Sequence, residues 1–262
     1  MSETVTKPQE ETVSSPIAPG TKRRQSPPLI ELVYRQVFDM IDAKLYGFES
    51  QIRINNPKLG TLSPELFMPI AERSNQAVEL GKWSFVEMSD MIRRQREKDR
   101  TIHHVFMPVS TKYFCKKYFI DNVMRQIEKA QLEPSSVCVM LSASSLLEKP
   151  QGLAEAFAVV NEKGIEVAVT GVGDGGLALS QLGEYPIDYI RFDAAFVDQL
   201  LTNERAKDIA NTLGELGTKL GAQLMAEGVN SKEHAEALQS IGCSFMEGTY
   251  IGEFVREGQM FG

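Results

Sequence analysis

Four charged residues lie within or directly after short apolar stretches of the sequence, and they are the side chains best suited to chemistry: Glu49, Arg191, Glu227 and Glu247. Carboxylate oxygens are the ligands that hard divalent cations prefer. An arginine guanidinium is a planar fork of donors that suits phosphate or carboxylate. These residue types allow a cation site, a phosphate site or an internal ion pair, according to how the fold brings them together.

Each of these residues also has a purely structural interpretation. An unpaired acid inside a fold is costly, so Glu49 is expected to pair with Arg191 or with Arg53, which lies four positions further along. Glu227 and Glu247 are expected to be solvated acids at strand ends. His103 and His104 have no partner histidine nearby, and a surface or core role is expected for both.

The elements that must position these residues follow a regular rhythm from residue 29 onward. Strand-like stretches are predicted at 29–34, 37–41, 46–54, 104–109, 137–141, 166–169, 189–193, 223–226 and 245–251. Helices are predicted from 64, then at 82–98, 113–130, 153–163, 177–182, from 194 to about 220, and at 233–241.

This alternation favours a closed α/β barrel. Strand and helix alternating over most of the chain imply parallel strands joined by right-handed crossovers. About eight such units fit a (β/α)8 barrel better than an open sheet, and function in such barrels lies at the carboxyl ends of the strands. Ser63 and Pro64 mark one helix start, since serine can cap free amides and proline suits the first helical position.

Composition limits the classes of function and the cellular location that remain open. The chain has 262 residues and a net charge of −7, which disfavours a general DNA-binding protein. There is no signal-like leader and no apolar stretch of membrane-spanning length, so a cytoplasmic location without membrane contact is expected. The three cysteines form no CxxC pair and suggest neither disulfides nor zinc.

The amino-terminal segment differs from the rest. Residues 1–28 are rich in Ser, Thr, Pro, Glu and Lys and poor in large apolar residues, so a disordered arm is expected before a barrel domain at 29–262. Its basic run, residues 22–24, is either a docking patch or, as we favour, a solvated linker cluster.

Several motifs, taken in order, resemble one family. Residues 47–53 read Gly-Phe-Glu-Ser-Gln-Ile-Arg, then come Asn-Pro-Lys-Leu-Gly at 56–60 and Ser-Pro-Glu-Leu-Phe at 63–67. Later matches are Leu-Gly-Lys-Trp at 80–83, Asp-Tyr-Ile-Arg-Phe-Asp at 188–193 and Ala-Glu-Gly-Val at 226–229. This series is similar to the EAL family of cyclic di-GMP phosphodiesterases, although Ser50 and Gln51 replace Ala-Leu of the signature.

The resemblance implies a fold and a chemistry. It implies a modified TIM barrel with one antiparallel strand, in a bacterial signalling protein. Family members hydrolyse one phosphodiester bond of cyclic di-GMP with two Mg²⁺ or Mn²⁺ ions, which polarise the phosphate and activate a water molecule. Arg53 stands at the position of the family arginine that contacts the dinucleotide phosphate. It is expected either to make that contact or to pair with Glu72.

At positions where the family holds its metal ions, this sequence departs from the pattern. It has no carboxylate or amide side chain at Pro108, Met140, Ala143, Thr170 and Gly171. Arg191 replaces a lysine thought to help activate water, and arginine cannot act as a base near neutral pH. Glu247 replaces a glutamine and adds negative charge, which counts against tight binding of an anionic nucleotide.

We therefore expect no bound metal, no cofactor and no catalytic residue, with Glu49, Glu227 and Arg191 as remnants of a lost site. The favoured function is a regulatory signalling module that contacts a protein partner. Two alternatives stay open: a metal-independent cyclic di-GMP receptor, and a weak phosphodiesterase using Glu49 and Glu227 with one metal. A homodimer is also open. If the nucleotide binds, the expected contacts are Arg53, Ser63, Pro64, Phe67, Arg191 and Glu247.

Overall fold

The computed structural model describes residues 28–173 and 182–261. The predicted disordered arm at 1–28 and the predicted helix at 177–182 lie almost wholly outside these ranges. No helix among the described residues combines the length and apolar character that crossing a bilayer requires.

The strands form one sheet that closes on itself. They are β1 Ile30–Asp39, β2 Lys44–Asn56, β3 Gly60–Leu62, β4 Val105–Pro108, β5 Val137–Ser142, β6 Glu166–Val172, β7 Tyr189–Phe192, β8 Gln223–Ala226, β9 Phe245–Met246 and β10 Val255–Arg256. Strand β1 pairs with both β2 and β9 and so completes a barrel of eight strands, with β3 and β10 added at its rim.

Seven barrel strands are parallel, and β1 is antiparallel to both neighbours. The predicted TIM-like α/β barrel with one antiparallel strand is confirmed. Because β1 runs the opposite way, its first residue, Ile30, pairs with Ile54 near the carboxyl end of β2. The β1–β2 ribbon therefore projects at the rim where the parallel strands end.

The described helices cover the outside of the barrel. They are α1 Pro64–Arg73, α2 Gln76–Arg96, α3 Thr111–Phe114, α4 Phe119–Ala130, α5 Ala143–Leu147, α6 Leu153–Glu162, α7 Ala194–Gln199, α8 Glu204–Leu220 and α9 Lys232–Ser240. Buried apolar side chains of these helices and of the strands' outer faces form the main core.

Some predicted boundaries were wrong. The two strands predicted at 29–41 are one strand, because a register irregularity at Val37 and Phe38 lets pairing continue. The helix predicted from 194 to 220 is two helices, since the Asn203 side chain accepts from Arg205 N and starts α8 anew. Helix α1 begins at Pro64 as predicted, but the Ser63 side chain makes no capping bond.

A second, smaller core fills the barrel interior. Its buried members come from successive strands: Val37, Phe106, Cys138, Met140, Ala168, Tyr189, Met225 and Phe245. At the amino-terminal end of the barrel, buried His104 contacts Glu166 with Nε2 and Oε2 2.7 Å apart, so the expected structural role of this histidine is confirmed. The interior is thus packed at the level of these residues.

Candidate functional site

Backbone pairing brings the predicted charged residues to one rim. Glu49 lies on β2, and Arg191 lies on β7 opposite Met225. Beyond the strand ends, Glu227 N donates to Phe192 O at 3.2 Å and Glu247 N donates to Ala226 O at 3.0 Å. The ladder therefore continues through both glutamates, and their backbone positions are fixed.

The guanidinium of Arg191 lies among three carboxylates. Its Nη1 is 2.5 Å from Glu247 Oε1 and 3.2 Å from Glu49 Oε1, and its Nη2 is 2.5 Å from Glu227 Oε2. The side chains are 9% exposed for Arg191, 6% for Glu49, 25% for Glu227 and 0% for Glu247. We refer to these four residues as the Arg191 cluster.

The ionisation of the cluster follows from its burial. Burial opposes the charge on Glu49, yet Arg191 and a hydrogen bond from Glu247 outweigh it and lower the pKa of Glu49. Burial, reinforced by the charge of Glu49, raises the pKa of Glu247 well above its usual range. Glu247 Oε2 is buried and has no hydrogen-bond partner among the described residues.

Burial likewise raises the pKa of Glu227, with Arg191 acting in the opposite direction. Burial opposes the charge on Arg191 too, but the three carboxylates together raise the pKa of its guanidinium. Arg191 is permanently cationic, and it is a counter-ion rather than a proton acceptor.

The cluster corrects one expectation and supports another. Glu227 and Glu247 are not solvated acids: both bind Arg191, and Glu247 is fully buried. A charged residue directly after a short strand is expected to be exposed to solvent. A buried counter-ion, here Arg191, allows it to be buried instead. The expected pairing of Glu49 is found, with Arg191 rather than Arg53.

Arg35 was not predicted from the sequence as part of this site. It pairs across β1 and β2 with Glu49, and its charge helps to lower the pKa of Glu49 and partly opposes the rise in the pKa values of Glu227 and Glu247 that burial causes. Its guanidinium lies 3.9 Å from the centroid of the Phe254 ring, while that of Arg53 lies 5.6 Å from the same ring. Treating 29–54 as a single hairpin would have placed Arg35 beside Glu49.

A cavity of about 170 Å³ opens beside the cluster. Glu49 and Arg191 form part of its wall, and the rest is mostly apolar or serine-lined: Ile52, Pro64, Phe67, Met68, Pro108, Val109, Met140, Ser50, Ser84, Ser110, Ser142 and Ser145. Of the predicted ligand contacts, Pro64, Phe67 and Arg191 line this cavity. Arg53 lies on the Phe254 ring instead, and Glu72 contributes to the cavity wall.

The residues present do not fit the two-metal centre that the resemblance implies. Across 28–173 and 182–261, no group of three or more His, Cys, Asp or Glu side chains is arranged to hold a metal ion. Where the wall would need oxygen ligands, Met140 is buried and Thr170 Oγ1 donates to Leu141 O at 3.4 Å. The acids that do converge already surround Arg191.

The closed barrel with one reversed strand and acids at its rim defines a class, and comparison with known proteins places the chain within it. The model of the EAL domain family matches residues 24–253, and the chain belongs to this family. It is 25% identical over 222 residues to the oxygen sensor protein DosP of Escherichia coli, a match covering 85% of this chain and 28% of DosP. It is 24% identical over 218 residues to the probable cyclic di-GMP phosphodiesterase PdeG of Escherichia coli, covering 83% and 43%. The chain thus spans less than half the length of these relatives.

Solved structures agree on the fold. A complex of the PaMucR phosphodiesterase with c-di-GMP superposes with a TM-score of 0.81 at 21% identity, covering 89% of this chain and 94% of that one. The Xanthomonas citri FimX EAL domain in complex with c-diGMP gives 0.75 at 17% identity, covering 89% and 91%. At such identity the likeness extends to the barrel and carries no residue roles.

Proposed function

We propose that this chain is a non-catalytic EAL domain that acts in cyclic di-GMP signalling as a regulatory module through contact with a protein partner. The observation that carries the proposal is the Arg191 cluster. A two-metal hydrolase needs carboxylates free to coordinate cations and bound water. Here Glu49 and Glu227 are both within hydrogen-bonding distance of a buried guanidinium.

The chemistry of the cavity wall supports the same proposal. Hydrolysis requires a group that activates water, and Arg191 is held in its charged form. Proline, methionine and serine side chains around the cavity supply no strong metal ligand. The weak single-metal phosphodiesterase is disfavoured for the same reason, since its two glutamates are already paired.

A second candidate is a cyclic di-GMP receptor that binds without metal. The cavity favours it, because Pro64 and Phe67 line an apolar pocket beside a rim that carries Arg35 and Arg53. The PaMucR and FimX structures, which share this fold, are complexes with the same ligand. The negative surroundings of Arg191 count against it, since the guanidinium already has three acidic partners.

The test combines turnover with binding. Purified protein is incubated with cyclic di-GMP and excess Mn²⁺, and the linear product is followed by chromatography; no protein-dependent product is expected. Cleavage that Glu49→Gln abolishes would overturn the proposal. Calorimetry with and without Mg²⁺ separates the two candidates: metal-independent binding identifies the receptor, and its absence supports the interaction module.

A further inference from the structure

The three acids of the Arg191 cluster are arranged around one cation, and that cation is the Arg191 side chain. Three carboxylates from β2 and from the ends of β8 and β9 converge, and each has an oxygen within 3.2 Å of an Arg191 nitrogen. Buried carboxylates require a counter-charge, and removing it leaves them strongly unfavourable. The guanidinium meets this requirement from inside the chain.

The alternative counter-charge for such a group is a hard divalent cation. Mg²⁺, Mn²⁺ and Ca²⁺ take carboxylate oxygens at about 2.0–2.6 Å, so they need the central position between the acids. The Nη1 and Nη2 atoms of Arg191 occupy the space between Glu49, Glu227 and Glu247. A guanidinium and a metal ion cannot both occupy that central position, because the same volume would have to hold both.

We propose that Arg191 is the resident cation of a three-carboxylate site, so that the guanidinium and a divalent metal ion exclude one another at the rim of this barrel. Arg191 and Glu247 then form a compensating pair. The glutamate adds an acid that needs a counter-charge, and the arginine is long enough to reach it across β8. The wild-type rim is consequently insensitive to divalent cations, and it regains a cation site only when Arg191 is shortened.

This inference goes beyond the proposed function, because it concerns cation occupancy and holds whichever partner the module recognises. Its failure is distinguishable from failure of that proposal. Mn²⁺ binding is measured directly, without cyclic di-GMP and without turnover.

The experiment compares Mn²⁺ binding to wild type, Arg191→Ala and Arg191→Ala/Glu247→Gln. Free Mn²⁺ is quantified by its electron paramagnetic resonance signal, and thermal midpoints are recorded with Mn²⁺, Mg²⁺ and Ca²⁺ at constant ionic strength. The expected result is one site in Arg191→Ala that binds Mn²⁺ at least about tenfold more tightly than wild type, because the competing charge is gone. The double variant should lose most of this gain, and Arg205→Ala, on the exposed start of α8, should match wild type.

If Arg191→Ala does not fold alone, Mn²⁺-dependent recovery of its circular dichroism is the supporting readout, and Arg191→Lys provides a second variant with a compact charge. Arg191→Lys is expected to bind Mn²⁺ more weakly than Arg191→Ala. Equal Mn²⁺ affinity in wild type and Arg191→Ala would overturn the proposal. It would be overturned equally if none of the Arg191 variants, folded or unfolded, responded to any of the three cations.

Discussion

Arg191 on β7 and Glu247 beyond β9 are joined by a hydrogen bond of 2.5 Å, although 56 residues separate them in the chain. Strand β8 lies between their strands, so the contact crosses the barrel rim rather than one strand pair. The bond engages Oε1 of a fully buried carboxyl and links the ends of β7 and β9. Structural stability and the chemistry of the rim therefore depend on the same two side chains.

Removing Arg191 should cost substantial stability. Arg191→Ala leaves Glu49, Glu227 and Glu247 without their shared counter-ion, and the expected loss is about 3–5 kcal/mol of unfolding free energy. Urea denaturation at neutral pH without divalent cations measures it. Adding Glu247→Gln should recover part of the loss, because one buried ionisable group is removed, with a coupling of about 0.5–3 kcal/mol. A strictly additive double variant would contradict the pairing.

If cyclic di-GMP binds, Arg53 should supply the main phosphate contact. Arg191 is engaged by three acids, whereas Arg53 lies at the rim beside Phe254. Loss of a charge-assisted arginine–phosphate contact costs about 1.5–3 kcal/mol, so Arg53→Ala should weaken affinity roughly ten- to more than a hundredfold. Calorimetry at one fixed salt concentration measures this, with Arg205→Ala as the matched control. Unchanged affinity in Arg53→Ala would place the ligand elsewhere.

Low pH should weaken the ion pair between Glu31 on β1 and Arg256 on β10, the first and last strands. Arg256 donates to Glu31 at 2.7 and 2.8 Å, and this bond lowers the pKa of Glu31 below its ordinary value of 4.5. A carboxyl whose pKa is lower in the folded than in the unfolded protein stabilises the fold at pH values above its ordinary pKa. This stabilisation is lost as the pH falls through the lowered pKa. Glu31→Gln should thus lower the free energy of unfolding at pH 7 by about 0.5–1 kcal/mol, a small effect because its partner Arg256 is exposed. In strong acid the substitution should leave the free energy of unfolding unchanged.

Denaturation of wild type and Glu31→Gln across a pH series checks this prediction. Arg256→Gln should show the same pH-dependent loss, and the double variant should lose no more than either single one. A difference that grew toward low pH would have the wrong sign and would refute the assignment.

Gly248 should be intolerant of any side chain. Its φ is +153°, and a Cβ there would collide with the backbone of Val229, to which Glu247 and Tyr250 are hydrogen-bonded. Gly248→Ala is expected to cost at least about 2 kcal/mol because the backbone must shift. Gly258→Ala is the control, since a Cβ at Gly258 meets nothing within 4 Å, and should change stability by less than about 0.5 kcal/mol. Equal thermal midpoints for the two variants would contradict the prediction.

Local patterns in the sequence were sufficient for the architecture. The strand predicted at 223–226 coincides with β8, and Pro64 begins α1 as its type suggests. Apolar runs and proline act over a few residues, so a linear pattern records them. About eight alternating strand and helix units are compatible with few topologies, and a closed barrel fits that number best.

The charge network could not be predicted in the same way. Glu247 looks like a solvated acid until Arg191 is placed beside it, and that placement depends on strand pairing across 56 residues. Arg35 was missed because the irregularity at Val37 and Phe38 resembles a break between two strands. Burial of a charge is decided by its tertiary partner, and the partner is set by barrel closure rather than by neighbouring residues.

The reversed direction of β1 also sets where a fused polypeptide would be attached. Ile30 pairs with Ile54 at the rim that carries the Arg191 cluster, whereas the first residue of an ordinary parallel strand would lie at the opposite end. A domain joined ahead of Pro28 by a short flexible linker would therefore be held beside the rim at about millimolar effective concentration. A contact between that domain and the rim with a dissociation constant of about 0.1 mM would be largely occupied within one chain, although separate molecules at micromolar concentration would leave it almost empty.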